Sequence, residues 1–357
     1  MLFLVVAGLV FIVFRMQKPR QEDLVKNETD KQLASLKAYD QYQQGRSYWN
    51  LRNVSSLRKA ITYFNKAVEL DSTLAIAYAG LADCYAALGY GSYEAPSKTF
   101  LKAETAANHA LQLDSTLANA HTSLGYIKFY YYWDWPAAEK EFLKAQQLDP
   151  RNELSYPSYT YFLTAMGRFP ESSVNIQKAI DINPLSSPVN TDKGFYLYYS
   201  RHYDEAIKSL QETIGMNNKN PLTHLWLGRS YQEKKQYEKA VMEYRTTLEF
   251  NDNWPVAWAA IGNAYGYSGQ QQKAMNVLDT LISLSNNRYV TPYGIALVYA
   301  SMNEKDKAFE WLGKAFTERS NWLVWLAIDP RWKVIRSDKR FDELLFKMNL
   351  KQPFSKE

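Results

Sequence analysis

Small and large apolar positions recur along the second half of the chain at one fixed interval. Thr160, Gly194, Gly228, Gly262 and Ala296 stand 34 residues apart, and Ser172, Ala206, Ala240, Ala274 and Ala308 keep that interval twelve residues behind them. Large residues hold step: Leu163, Leu197, Tyr231, Tyr265 and Tyr299 follow the first series by three positions, and Ile176, Leu210, Tyr244, Leu278 and Leu312 follow the second by four. Small residues in both series let two helices approach closely while the large ones wedge into the space. Each period therefore predicts a helix pair whose remaining apolar face is buried only by stacking on its neighbours. Turn signals agree, with Met166-Gly167-Arg168-Phe169 between helices and Asp149-Pro150 or Asn183-Pro184 at unit ends.

Upstream the pattern continues with insertions. Gly45, Tyr48, Ala60, Phe64 and Ala67 make a first unit, Ala82, Tyr85, Ala103, Ala107 and Ala110 a second, and Gly125, Ala138, Phe142, Ala145 and Pro150 a third. The second unit carries a long loop from Gly89 to Ser97. About eight units are predicted over residues 38–320. Within residues 321–357, Phe341, Leu344, Leu345 and Met348 share one helical face behind Ser337, which predicts a capping helix for the last apolar surface.

A 34-residue period with a small residue at position 8, Ala at 20, a large apolar residue at 24 and Pro near 32 resembles the tetratricopeptide repeat. The expected fold is all-α, a right-handed superhelical solenoid. The wording of Ala38-Tyr39-Asp40-Gln41-Tyr42, Ala77-Tyr78-Ala79-Gly80-Leu81-Ala82-Asp83, Tyr132-Trp133-Asp134-Trp135 and Asp329-Pro330-Arg331-Trp332 is similar to the repeat portions of bacterial membrane-associated signalling proteins. In that group an effector domain commonly precedes a transmembrane helix and the repeats. No effector domain occurs in this sequence.

Met1 to Phe14 is unbroken apolar sequence ending at Arg15, with Lys18 and Arg20 behind it. It is read as a membrane anchor and not a cleaved signal, because it has no basic start and no small-residue cleavage site. At ~1.5 Å per residue it reaches about 21 Å, short of the roughly 30 Å hydrocarbon core. Two accounts stay open, a start inside a longer natural span and a short snorkelling anchor. Residues 15–37 read as a juxtamembrane linker. The basic residues after the span place the repeats in the cytoplasm of a single-pass inner-membrane protein. The resemblance points to the opposite side.

Composition changes this picture little. A net charge of +5, from 42 Lys and Arg against 37 acids, is too weak to predict a nucleic-acid partner. The lone Cys84 excludes an internal disulfide and a multi-cysteine zinc site, and is expected in a helix core. His121 and His224 share one repeat position and read as packing residues, while His109 and His202 have no ligand spacing around them. The Leu-Asp pairs at 70–71, 113–114 and 148–149 recur at unit ends and mark architecture. Gly89-Tyr90-Gly91 fits no phosphate-binding fingerprint. No catalytic, cofactor or metal site is predicted, and the chain is read as a non-enzyme.

What the resemblance implies is a groove. In tetratricopeptide arrays the first helices line the concave surface, and the positions that commonly meet ligand there correspond to Tyr126, Phe129, Tyr130, Tyr161, Phe195 and Tyr198, with Arg229, Gln232 and Asn263 further on. Exposed rings would offer a protein or peptide segment a large contact area. Two functions stay open: a membrane-anchored scaffold binding such a segment, or the sensory portion of a signalling regulator whose effector lies outside this chain.

Overall fold

A computed structural model describes residues 21–51, 53–152, 154–217 and 219–353, with side-chain surroundings from residue 28 onward. The expected anchor, residues 1–14, lies outside the described residues. Among the described residues no helix is long and apolar enough to cross a membrane.

Seventeen α-helices and no strand are described. Sixteen of them form eight consecutive antiparallel pairs: α1 (Gln21–Trp49) with α2 (Val54–Leu70), α3 (Ala75–Tyr90) with α4 (Pro96–Leu113), α5 (Ala118–Ile127) with α6 (Trp135–Leu148), α7 (Ser155–Ala165) with α8 (Phe169–Ile182), α9 (Ser187–Tyr199) with α10 (Tyr203–Met216), α11 (Pro221–Glu233) with α12 (Tyr237–Phe250), α13 (Pro255–Tyr267) with α14 (Gln271–Ser285), and α15 (Pro292–Ser301) with α16 (Lys305–Thr317). The first helices α11, α13 and α15 begin with proline, whose fixed φ suits that position and whose missing N–H costs nothing there. Between α5 and α6 the chain widens into a π turn, Lys128–Tyr132.

The period is written into the packing. A Cβ on Gly228 would lie 2.5 Å from the ring of Tyr244, and one on Gly45 2.5 Å from Phe64. The small residue of the first helix is thus the seat of the large residue of the second. The turn inside each pair repeats as well. Gly167, Arg201, Lys235, Gly269 and Asn303 all take positive φ, between 59° and 79°. Behind each, an N–H bonds the carbonyl five residues back, as in Arg168 to Leu163 and Gln236 to Tyr231, both at 2.9 Å. This is the left-handed helix ending that satisfies carbonyls otherwise left bare.

The C-terminal region departs from the expected end cap. After α16 the chain makes two short 3₁₀ turns, Asn321–Trp325 and Pro330–Trp332, before α17 (Lys339–Lys347). Residues 320–332 are buried throughout. The indole of Trp135 donates to the carbonyl of Met348 at 3.0 Å, and a Cβ on Gly167 would strike Pro353. The region therefore reaches back to the third and fourth units instead of only closing the eighth. Its apolar residues belong to the same continuous core as the repeats.

Candidate functional site

The first helices line the inside of the array, and the C-terminal segment fills what they enclose. Trp325 is the centre of the contact. Its ring meets Phe129 at 5.8 Å, Tyr130 at 6.2 Å, Phe195 at 5.1 Å and Tyr199 at 5.2 Å between centroids. Asn321 donates to the carbonyl of Tyr90 at 2.7 Å, and Trp322 donates to Ser92 Oγ at 2.9 Å. Arg319 reaches the carbonyl of Tyr131 at 3.1 Å. These bonds fix the segment in one register.

The expectation of an open aromatic groove is corrected accordingly. Phe129, Tyr130, Phe195 and Tyr198 are buried, the last with no exposed surface. Their register faces the concavity, but the rings are core: Trp325 meets Phe129, Tyr130 and Phe195, and Tyr198 is enclosed by Tyr199, Tyr203 and Trp226. Tyr126 and Tyr161 keep partial exposure. Tyr126 accepts from Ser158 Oγ at 2.7 Å, and Tyr161 makes a short hydrogen bond to Asp192.

The polar flank is buried too. Gln232 donates to Asn263 Oδ1 at 2.7 Å and accepts from Tyr244 at 3.0 Å, while Asn263 donates to the carbonyl of Leu297 at 2.7 Å. These side chains tie three successive units together, with every amide nitrogen and oxygen of Gln232 and Asn263 engaged inside the array. Arg229 is 1% exposed, its guanidinium between the indoles of Trp226 at 4.4 Å and Trp322 at 4.6 Å. Nearby, Arg331 forks onto Asp329 at 2.9 and 2.6 Å, and Tyr293 donates to the same carboxylate at 2.9 Å. Burial alone would raise the Asp329 carboxyl, but the charge and hydrogen bonds of Arg331 outweigh it and hold it below its ordinary value. Neither residue of that pair figures among the expected groove residues.

A second feature lies where the loop after α3 crosses to the sixth and seventh units. Trp254 donates to the carbonyl of Gly91 at 3.0 Å, and Asn251 donates to Tyr93 Oη at 3.0 Å. Beside this crossing is a cleft of about 190 Å³ lined among others by Arg58, Tyr93, Asn251, Trp254, Arg288 and Tyr289. Arg58 pairs with Glu94 at 3.2 Å on its rim. The loop is an insertion within the repeat, so the period could not locate this cleft.

Other chemistry is sparse. Among the described residues no group of three or more His, Cys, Asp or Glu could hold a metal ion. Cys84 is buried in α3. His121 and His224 each meet a glutamate of the paired helix, Glu141 and Glu243, both at 2.6 Å.

The tetratricopeptide-repeat family model matches residues 223–253 and 255–288, the α11–α12 and α13–α14 pairs. No curated protein matches the chain in sequence. Among solved structures the chain is similar to the APC/C hetero-tetramer Cut9-Hcn1, at 16% identity and TM-score 0.60, covering 93% of this chain and 60% of that one. It is also similar to the human IFIT1 dimer with PPP-AAAA, at 14% identity and TM-score 0.56, covering 86% of this chain and 81% of that one. At such identities the likeness is one of fold. The matched repeats are the sixth and seventh units, and the other units are likewise antiparallel helix pairs, so the chain carries tetratricopeptide repeats.

Proposed function

We propose that this chain is a non-enzymatic scaffold that binds a protein or peptide segment and is held at a bacterial inner membrane by residues 1–14. Tetratricopeptide repeats generally serve protein interaction, and that supports the scaffold reading. The observation that carries the placement of the partner is the filled concavity: with Trp322, Trp325 and Trp332 inside the array, the partner docks on what they leave open. The cleft at the loop crossing suits it, since Arg58 and Arg288 flank rings that a segment with an acidic side chain could lie against. Tyr126 and Tyr161, half-buried, are the two groove residues left for contact.

In-cell crosslinking of the full chain followed by mass spectrometry tests this. Crosslinks concentrated at the cleft and lost in Arg58→Glu with Arg288→Glu support the reading. Undiminished capture by that variant moves the site elsewhere. Removal of residues 1–20 should release the chain from the membrane fraction with helicity unchanged. Retention there refutes the anchor. The regulator reading rests on the resemblance of the repeats, and an in-frame effector domain encoded upstream of Met1 would favour it.

A further inference from the structure

We infer that Glu94 stands in, within the free chain, for the acidic group of the partner, and that the partner enters the cleft by taking Arg58 from it. The inference rests on the reading of the cleft as the docking site. Two arms of the array wall that cleft: Arg58, Ser92 and Tyr93 come from the first two units, and Asn251, Trp254 and Arg288 from the sixth and seventh. The inserted loop is fixed at its backbone. Its Gly91 carbonyl accepts from Trp254, the Tyr93 ring stacks on the Trp254 indole at 5.8 Å, and the N–H groups of Tyr93 and Glu94 both donate to the carbonyl of Leu88, at 3.0 and 3.3 Å. The Glu94 side chain, by contrast, is held by one ion pair, to Arg58 at 3.2 Å, between groups that are 34% and 63% exposed. So exposed a pair holds weakly, and Glu94 can leave it for water without moving the loop.

What an incoming acid gains is a second guanidinium. Arg288 is set by two bonds from Nη1, to the carbonyls of Asp252 at 3.1 Å and Asn253 at 3.0 Å, which leave its Nε and Nη2 for other acceptors. Arg58 gives Glu94 only Nη2. A guanidinium carries five N–H donors in one plane, and its bonds to carboxylate are among the strong ones. An acidic side chain within the cleft can bond both arginines, whereas Glu94 on the rim bonds one. Until it is displaced, Glu94 offsets the Arg58 charge, so an entering acid competes with it and a neutral side chain gains nothing. The loop thereby sets a threshold and favours segments whose acid reaches both arms.

The test is the rate at which phenylglyoxal modifies Arg58 and Arg288 in the full chain in nonionic detergent, read peptide by peptide by mass spectrometry. The probe is N-acetylglutamate α-amide, a single acidic side chain, and N-acetylglutamine α-amide is its neutral control. The acid should protect both arginines at one half-protecting concentration, and the control neither. In Glu94→Gln, Arg58 should react faster without probe, and the half-protecting concentration should fall roughly two- to fivefold, the reach of one exposed ion pair. An unchanged half-protecting concentration in Glu94→Gln refutes the role of Glu94 and leaves the cleft standing. Protection of neither arginine, in parent and variant alike, refutes the cleft as an acid site and the inference with it. Protection of Arg58 alone places the acid outside the cleft and overturns the inference as well.

Discussion

Trp325 lies flat against Tyr199, with ring centroids 5.2 Å apart and planes 19° from parallel. The stack joins the C-terminal segment to the fifth repeat unit, and similar contacts reach the third and fourth. Removing a buried aromatic leaves its neighbours around a cavity. Trp325→Ala should therefore cost ~3–5 kcal/mol in urea denaturation. A loss below ~1 kcal/mol would mean that the segment is only loosely seated.

Two glycines separate packing from propensity. Gly228→Ala must push a Cβ into Tyr244, 2.5 Å away, and should destabilise by ~1–3 kcal/mol. Gly215 in α10 has nothing within 4 Å of the added carbon. There the same change should stabilise by ~0.5–1 kcal/mol through reduced backbone entropy alone. Thermal melts of both variants check the pair, and equal effects would put the repeat register in error.

The exposed Lys235 closes its helix pair at φ 59°, where two equivalent turns use glycine. Lys235→Gly removes the Cβ strain of the left-handed conformation and should raise stability by up to ~1 kcal/mol in the same assay. Destabilisation would show that the lysine contributes something beyond its backbone.

The period was readable because close helix contact forces small residues into phase with large ones, and Gly228 against Tyr244 is that rule in one contact. The cap at Phe341 to Met348 was readable as an amphipathic helix but not in its reach, since periodicity says nothing of where a face docks. The filled groove was missed for a physical reason: a ring on a first helix has the same register whether it meets a ligand or the chain's own segment. One signal was present. Asn321-Trp322-Leu323-Val324-Trp325-Leu326-Ala327-Ile328 is too continuously apolar for a surface cap, and such a run needs a covered cavity.

Asp329 gives the account a pH signature. Its folded pKa lies below the ordinary value, so the stability it contributes is fully present above about pH 4 and is lost as pH falls through the lowered folded value. Asp329→Asn leaves Arg331 buried without its counter-charge and should cost ~3–5 kcal/mol at neutral pH. The gap between parent and variant should narrow below about pH 4 as the parent's carboxylate takes up a proton. A gap that stays constant in denaturation curves from neutral pH down to pH 2 would contradict the role given to this pair.

The most direct measurement is hydrogen exchange of the full chain at residues 321–332, resolved by mass spectrometry. If this segment is the core of the array, its amides exchange as slowly as those of α9 and α11 and open only with them. Exchange as fast as that of the exposed helix ends, while α9 and α11 stay protected, would show a segment that leaves the concavity on its own and would contradict the account.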